Sequence, residues 1–181
     1  ARLQEFMAGG YRALRRLRDE GVIRAFGAGL NEWEPCDWLM QRGEFDIFLL
    51  AGRYTLLEQG AQGFMDRAAA KGVGVVIGGP YNSGILATGP RPGAHYNYGP
   101  APQAVLERAG RLQAICQAHG VRLVDAAFRF PLLHPATVSV IPGGQGLAEM
   151  DSNIRAAQAE IPAELWQALA AEGLIPPGMA G

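Results

Sequence analysis

The stretch richest in chemistry is TVSVIPGGQGLAEMDSN, Thr137 to Asn153. A largely β-branched run from Thr137 to Ile141 reads as a buried parallel strand. It stops at Pro142, crosses Gly143, Gly144 and Gly146, and enters a helix at Leu147. Glycines leave backbone N–H groups accessible at such a junction, and the helix dipole adds favourable potential, so the pattern suits an anion such as phosphate. A plain strand-to-helix turn has the same spelling, and from this stretch alone both readings stand. A second glycine-rich passage, GGPYNSG from Gly78 to Gly84, follows another apolar run. The loop Gly89 to Pro100, GPRPGAHYNYGP, carries His95, Tyr96, Asn97 and Tyr98. Loops this long are usually functional or disordered, so it is either a ligand-contacting loop or a mobile surface loop.

Other chemistries are disfavoured. Cys36 and Cys116 lie far apart, and neither they nor His95, His119 and His134 have metal-ligand spacing, so no metal site is expected. Two unmatched thiols fit a reducing cytosol better than a disulfide scaffold. The 16 basic and 17 acidic residues interleave to a net charge of −1, without the basic stripe that nucleic acid requires. No apolar run reaches membrane-spanning length, and ARLQEFMAGG lacks the pattern of a signal peptide. A cytoplasmic, soluble chain of 181 residues, 49% hydrophobic, is expected, long enough for a sizeable core.

The elements that must position these stretches alternate. Phe6 to Glu20 has helical spacing and ends at Gly21; Val22 to Gly29 reads as a strand; Asn31 is placed to cap a helix over Trp33 to Met40. Asp46 to Leu50 is a second strand, followed by turn residues Gly52 to Gly60 and a helix from Ala61 to Lys71. Val73 to Ile77 is a third strand, and Gly78 to Pro102 reads as irregular. Helices are expected over Gln103 to His119, Val121 to Leu133 (kinked or ended by Pro131), Leu147 to Ala159 and Pro162 to Glu172. The tail from Leu174 to Gly181 reads as flexible. Strands such as IFLL and VGVVI, apolar on consecutive residues, imply a parallel sheet buried on both faces. Four strands alternating with helices make an α/β chain with half the strands of a (β/α)8 TIM barrel, about four βα units.

Five segments in order, GVIRAFGAGLNEWE (21 to 34), DIFLLAGRYTLLEQ (46 to 59), GVGVVIGGPYNSGILATG (72 to 89), AAFRFPLLHP (126 to 135) and SVIPGGQ (139 to 145), resemble the C-terminal half of the aldo-keto reductases. Within that family they are most similar to the sugar branch of L-fucose and D-threo-aldose 1-dehydrogenases and the related pyridoxal 4-dehydrogenases. The resemblance runs from about Tyr11 to Leu174 and implies that residues 1–181 form the C-terminal half of one barrel. It also implies a nicotinamide dinucleotide in the loops after the strands. Asn31 matches the residue that holds the nicotinamide carboxamide, with the helix cap as its other reading. Ser83 and Asn153 match cofactor-contacting positions, and Gly78, Gly79, Tyr81, Gly143 and Gly144 line the matching loops.

Departures from the family pattern sharpen these implications. Gly143 stands where lysine is common and Glu149 where an arginine faces the adenosine 2′-phosphate, so NAD is expected over NADP: a carboxylate accepts from ribose hydroxyls and repels phosphate. Gly78 replaces the usual stacking aromatic, for which Tyr81 is a substitute, and Ala51 replaces an amide-binding glutamine. The family's catalytic Asp, Tyr, Lys and His set has no counterpart here, so no catalytic residue is assigned; it would lie in a missing N-terminal half. Tyr96 and Tyr98 are candidate contacts for a sugar substrate, and Tyr54 is either a third or simply packed at its strand end. The implied reaction is oxidation of an aldose at C1 to the lactone. The alternatives are pyridoxal oxidation, or a non-catalytic half barrel that binds nucleotide or pairs with itself.

Overall fold

The computed structural model describes residues 2–179. Its first elements are two helices, α1 (Arg2–Ala8) and α2 (Gly10–Asp19), where one was expected. Gly9 breaks them apart with φ −122° and ψ −76°, outside the helical region. The chain leaves α2 through Gly21 at φ 73°, whose turn is closed by the Val22 amide donating to the Leu17 carbonyl.

That closure moves the first strand. Val22 is exposed, the Phe26 amide donates to the Asp46 carboxylate, and β1 begins only at Gly27 (Gly27–Leu30). Glycine is required there, since a Cβ on Gly27 would sit 1.8 Å from the Ile47 carbonyl oxygen. The chain continues through α3 (Trp33–Met40), β2 (Ile47–Ala51), α4 (Gln62–Ala70) and β3 (Gly74–Gly78). The passage expected to be irregular holds a one-turn helix, α5 (Ile85–Thr88), and a hairpin of β4 (His95–Tyr96) and β5 (Gly99–Pro100). Then come α6 (Gln103–Ala118), α7 (Leu123–Arg129), β6 (Thr137–Ile141), α8 (Leu147–Gln158) and α9 (Ala163–Ala171). As Pro131 predicts, α7 stops early and passes into a 3-10 turn, Phe130–Leu133.

The four long strands form one parallel sheet in the order β1-β2-β3-β6, the α/β arrangement of half a barrel. Phe48, Leu50, Val75 and Ile77 point to the helix-covered side and are fully buried, Phe48 meeting Phe64 of α4 edge-on at 5.8 Å. The other side is open. Leu49, Val138 and Ile141 are exposed, Val138 by 58% and Ile141 by 50%. The expectation that β6 is buried therefore fails, because β6 pairs with β3 alone and a register shift between Val75 and Val76 throws Val138 outward. The start of the expected flexible tail is anchored: Leu174 and Ile175 are buried, and Arg108 donates to the Leu174 carbonyl at 2.6 Å, whereas Pro177 and Gly178 are exposed. Residues 180–181, the end of the expected flexible tail, lie outside the described residues.

Candidate functional site

Parallel strands release their loops at one end, so the carboxyl ends of β1, β2, β3 and β6 converge. There they surround a cleft of about 750 Å³, within the range of small-molecule sites. Of the residues singled out in the sequence, Asn31, Gly79, Tyr81, Ser83, Tyr98, Gly143, Gly144, Glu149 and Asn153 all line it, as does Ala51. Asn97, from the loop expected to contact a ligand, lines it as well; Arg53, Asn82, Gln145 and Ser152 line it too, and the motifs did not single them out.

Gly78 is buried as the last residue of β3, just below the cleft. Tyr54 and Tyr96 are not at its wall. Tyr54 is fully buried against Phe130 and His134 and donates its hydroxyl to Gln62, so it takes the packing role. Tyr96 turns away and donates to Glu58 at 2.6 Å. Burial raises the pKa of Tyr54, and raises those of Tyr81 and Tyr96 to about 12, with Glu58 adding to the effect on Tyr96. Tyrosines so disposed donate hydrogen bonds and do not act as bases near neutral pH.

Asn31 is exposed at the end of β1. It does not cap α3: Glu32 occupies the cap position, no side chain closes that end, and the Asn31 side chain makes no hydrogen bond among the described residues. Its amide is available to a ligand.

The two glycine turns differ in construction. After β3, Gly79 (φ 59°), Asn82 (φ 46°), Ser83 (φ 60°) and Gly84 (φ 93°) adopt left-handed backbone. Asn82 is buried, accepts from the Thr55 hydroxyl at 2.6 Å, and donates to the Gly52 carbonyl and the Glu58 carboxylate. After β6, a Cβ built on Gly143 would meet nothing within 4 Å, leaving its backbone open to the cleft. The two turns are bridged by Asn153 of α8, which accepts from the Tyr81 hydroxyl at 2.9 Å and donates to the Gly143 carbonyl at 3.0 Å.

Charge in the cleft is sparse. Arg53 is the one cation among the described lining residues, and it is occupied by Glu32, at 2.9 and 3.1 Å. That pairing lowers the Glu32 pKa and raises that of Arg53. Glu149 sits in the first turn of α8, where the helix dipole favours an acid, and accepts from the Gln145 amide at 2.7 Å. No cluster of three potential metal ligands occurs among the described residues, and no described helix is long and apolar enough to cross a membrane.

A four-stranded parallel sheet with its cleft at the strand carboxyl ends defines the class: an α/β protein with the architecture of a partial TIM barrel. The aldo/keto reductase family model matches residues 5–172, and the chain belongs to that family. It is 41% identical to pyridoxal 4-dehydrogenase of Microbacterium luteolum over 169 residues, covering 92% of this chain and 49% of that protein. It is 38% identical to D-threo-aldose 1-dehydrogenase of a Pseudomonas species over 172 residues, covering 94% of this chain and 52% of that protein. The chain thus spans about half the length of these curated relatives. An aldo-keto reductase from Bacillus halodurans, in its holo form, superposes with a TM-score of 0.72 at 20% identity, over 97% of this chain and 59% of that one.

Proposed function

We propose that this chain is the cofactor-binding half of an NAD-dependent dehydrogenase that oxidises an aldose of the L-fucose or D-threo-aldose type at C1. The observation carrying this reading is the cleft where the β3 and β6 turns meet, with open space at Gly143, an exposed Gly144 beside it, and an unengaged amide at Asn31. Family membership supports a nicotinamide dinucleotide there, and the likeness to a D-threo-aldose 1-dehydrogenase supports the substrate class.

The residues present fit the group. Gly143, Gly144 and the start of α8 offer backbone to the pyrophosphate, Asn31 would hold the carboxamide, and Ser83 and Asn153 flank the nucleotide. Glu149 stands where a 2′-phosphate would need a cation, and no second cation compensates among the lining residues, which favours NAD. When bound there, a nicotinamide would supply the acceptor for the hydride of C1, and the C1 hydroxyl proton would go to a base. In this reading that base, with the rest of the catalytic set, belongs to an N-terminal half that completes the barrel. The products are the lactone and NADH.

The test is steady-state kinetics on the protein expressed from its own gene, with L-fucose, D-arabinose and pyridoxal against NAD and NADP. Sugar oxidation with NAD preferred is expected. A preference for NADP of about tenfold in kcat/KM, roughly 1.4 kcal/mol, would sink the cofactor assignment. Activity on pyridoxal without activity on any sugar would favour the second reading, a pyridoxal 4-dehydrogenase, which the 41% identity supports.

A further inference from the structure

We propose that Arg53 is a positioning residue that latches the β4–β5 hairpin over the cleft and so sets how fast a nucleotide leaves it. The nucleotide part rests on the reading above; the latch itself does not.

The hairpin has little to hold it in place by itself. Each strand is two residues long, and an isolated hairpin of that size is marginal in water. Its tip, Asn97 at φ 49° and Tyr98 at φ 65°, makes a left-handed two-residue turn that suits the hairpin twist. That conformation is strained for a bulky side chain such as tyrosine. The Tyr98 side chain gains no burial in return, being 91% exposed while lining the cleft. Among the described residues, Tyr96 of the hairpin packs on the core, with the partly buried Ala94 and Ala101 flanking it.

Polar ties supply the rest. The Arg53 guanidinium donates to the Asn97 side chain at 2.9 Å with one nitrogen, and to Glu32 with the other two. It therefore joins three segments: the end of β1, the loop after β2 and the hairpin tip. The Tyr96 hydroxyl donates to Glu58, which lies 3.8 Å from Arg53, and the Tyr98 amide donates to Ser83 across the cleft wall. Ser83 and Arg53 both line the cavity, but Arg53 alone of the two joins three segments. Its planar fork matches the Glu32 carboxylate, a geometry that lysine cannot reproduce.

Arg53→Met in the protein expressed from its own gene tests this, because methionine keeps an apolar stem and removes every donor. Amides of residues 95–99 should exchange faster by about fivefold or more, the scale of one partly exposed bidentate pair. NADH release, followed by stopped-flow fluorescence, should accelerate by a similar factor while the thermal midpoint stays in place. Arg53→Lys should fall between the two proteins. Unchanged hairpin exchange in Arg53→Met overturns the latch whether or not nucleotide binds. Faster exchange with unchanged NADH release overturns the hairpin's part in retention. If the unaltered protein fails to bind NADH, the reading under Proposed function falls, and the exchange data still decide the latch.

Discussion

The turn after β3 and the turn after β6 face the same cleft and are both rich in glycine, yet they are stabilised in opposite ways. The first is built before any ligand arrives: Asn82 is buried, left-handed and hydrogen-bonded to Thr55, Gly52 and Glu58. The second is left open. Gly143, Gly144 and Gln145 are exposed, held through Asn153 and Glu149 of the following helix. A site with one rigid wall and one bare backbone cradle can orient a ligand on the first while letting phosphate approach the second closely. Removing a polar group from the first turn should therefore cost stability, and adding a methyl to the second should cost affinity.

The largest effect is expected at Asn82. Asn82→Ala leaves the Thr55 hydroxyl and the Glu58 carboxylate short of a partner and puts alanine, which tolerates left-handed backbone less well than asparagine, at φ 46°. A loss of about 2–4 kcal/mol in unfolding free energy by chemical denaturation is expected. Asn82→Gly retains the backbone freedom and should lose less. Equal losses would show that conformational strain is absent from the difference.

At Gly144 the balance reverses. An added Cβ would stand 2.9 Å from the Met150 sulfur, the end of a flexible and half-exposed side chain that can move aside. Gly144→Ala should therefore shift unfolding by no more than about 0.5 kcal/mol. Dinucleotide affinity, measured by titration calorimetry, should fall about tenfold, since the methyl occupies the approach to the backbone. Unchanged affinity would remove this turn from the site. Tyr81→Phe probes the link between the turns by deleting the hydroxyl that donates to Asn153. A loss of about 1 kcal/mol in stability is expected, with affinity weakened through the misplaced Asn153.

The same contrast explains what was legible in the sequence. The open turn is spelled by glycines beside a β-branched run, a local pattern, and its residues do reach one cleft. The parallel sheet was legible in IFLL and VGVVI, but the burial of both faces expected from those runs holds on the helix side alone, since Leu49 is exposed on the open side. The rigid wall was not, since Thr55, Glu58, Asn82 and Arg53 come from separate loops and become partners only when β2 and β3 are in register. The β4–β5 hairpin was hidden because each strand is two residues long and its turn uses Asn97 and Tyr98, without the glycine that usually marks it. The exposure of β6 was missed for another reason: Val138 and Ile141 have the composition of a buried strand, and only the sheet order reveals an edge. Asn31 was read as a possible cap because asparagine often is one; in the structure Glu32 takes the cap position and makes no capping bond.

The smallest expected effect separates the latched wall from the bare one by pH. Glu32, on the latched side, has its pKa lowered from an ordinary value of 4.5 by the hydrogen bond from Arg53. A carboxylate so shifted contributes its full stabilisation above its unfolded pKa, and loses it as pH falls through the lower folded value. Between neutral pH and about pH 5 the hairpin should therefore stay in place. Below about pH 4.5 the Arg53 contact weakens, and the amide resonances of Asn97 and Tyr98 should move together. The Glu32 side chain is 54% exposed, so solvent and salt screen the pair and the shift in hairpin population should be modest. Glu32→Gln should abolish the dependence and give at neutral pH the resonance positions that the unaltered protein reaches only in acid. If both proteins titrate alike, the transition belongs to another carboxylate and Glu32 has no part in holding this wall.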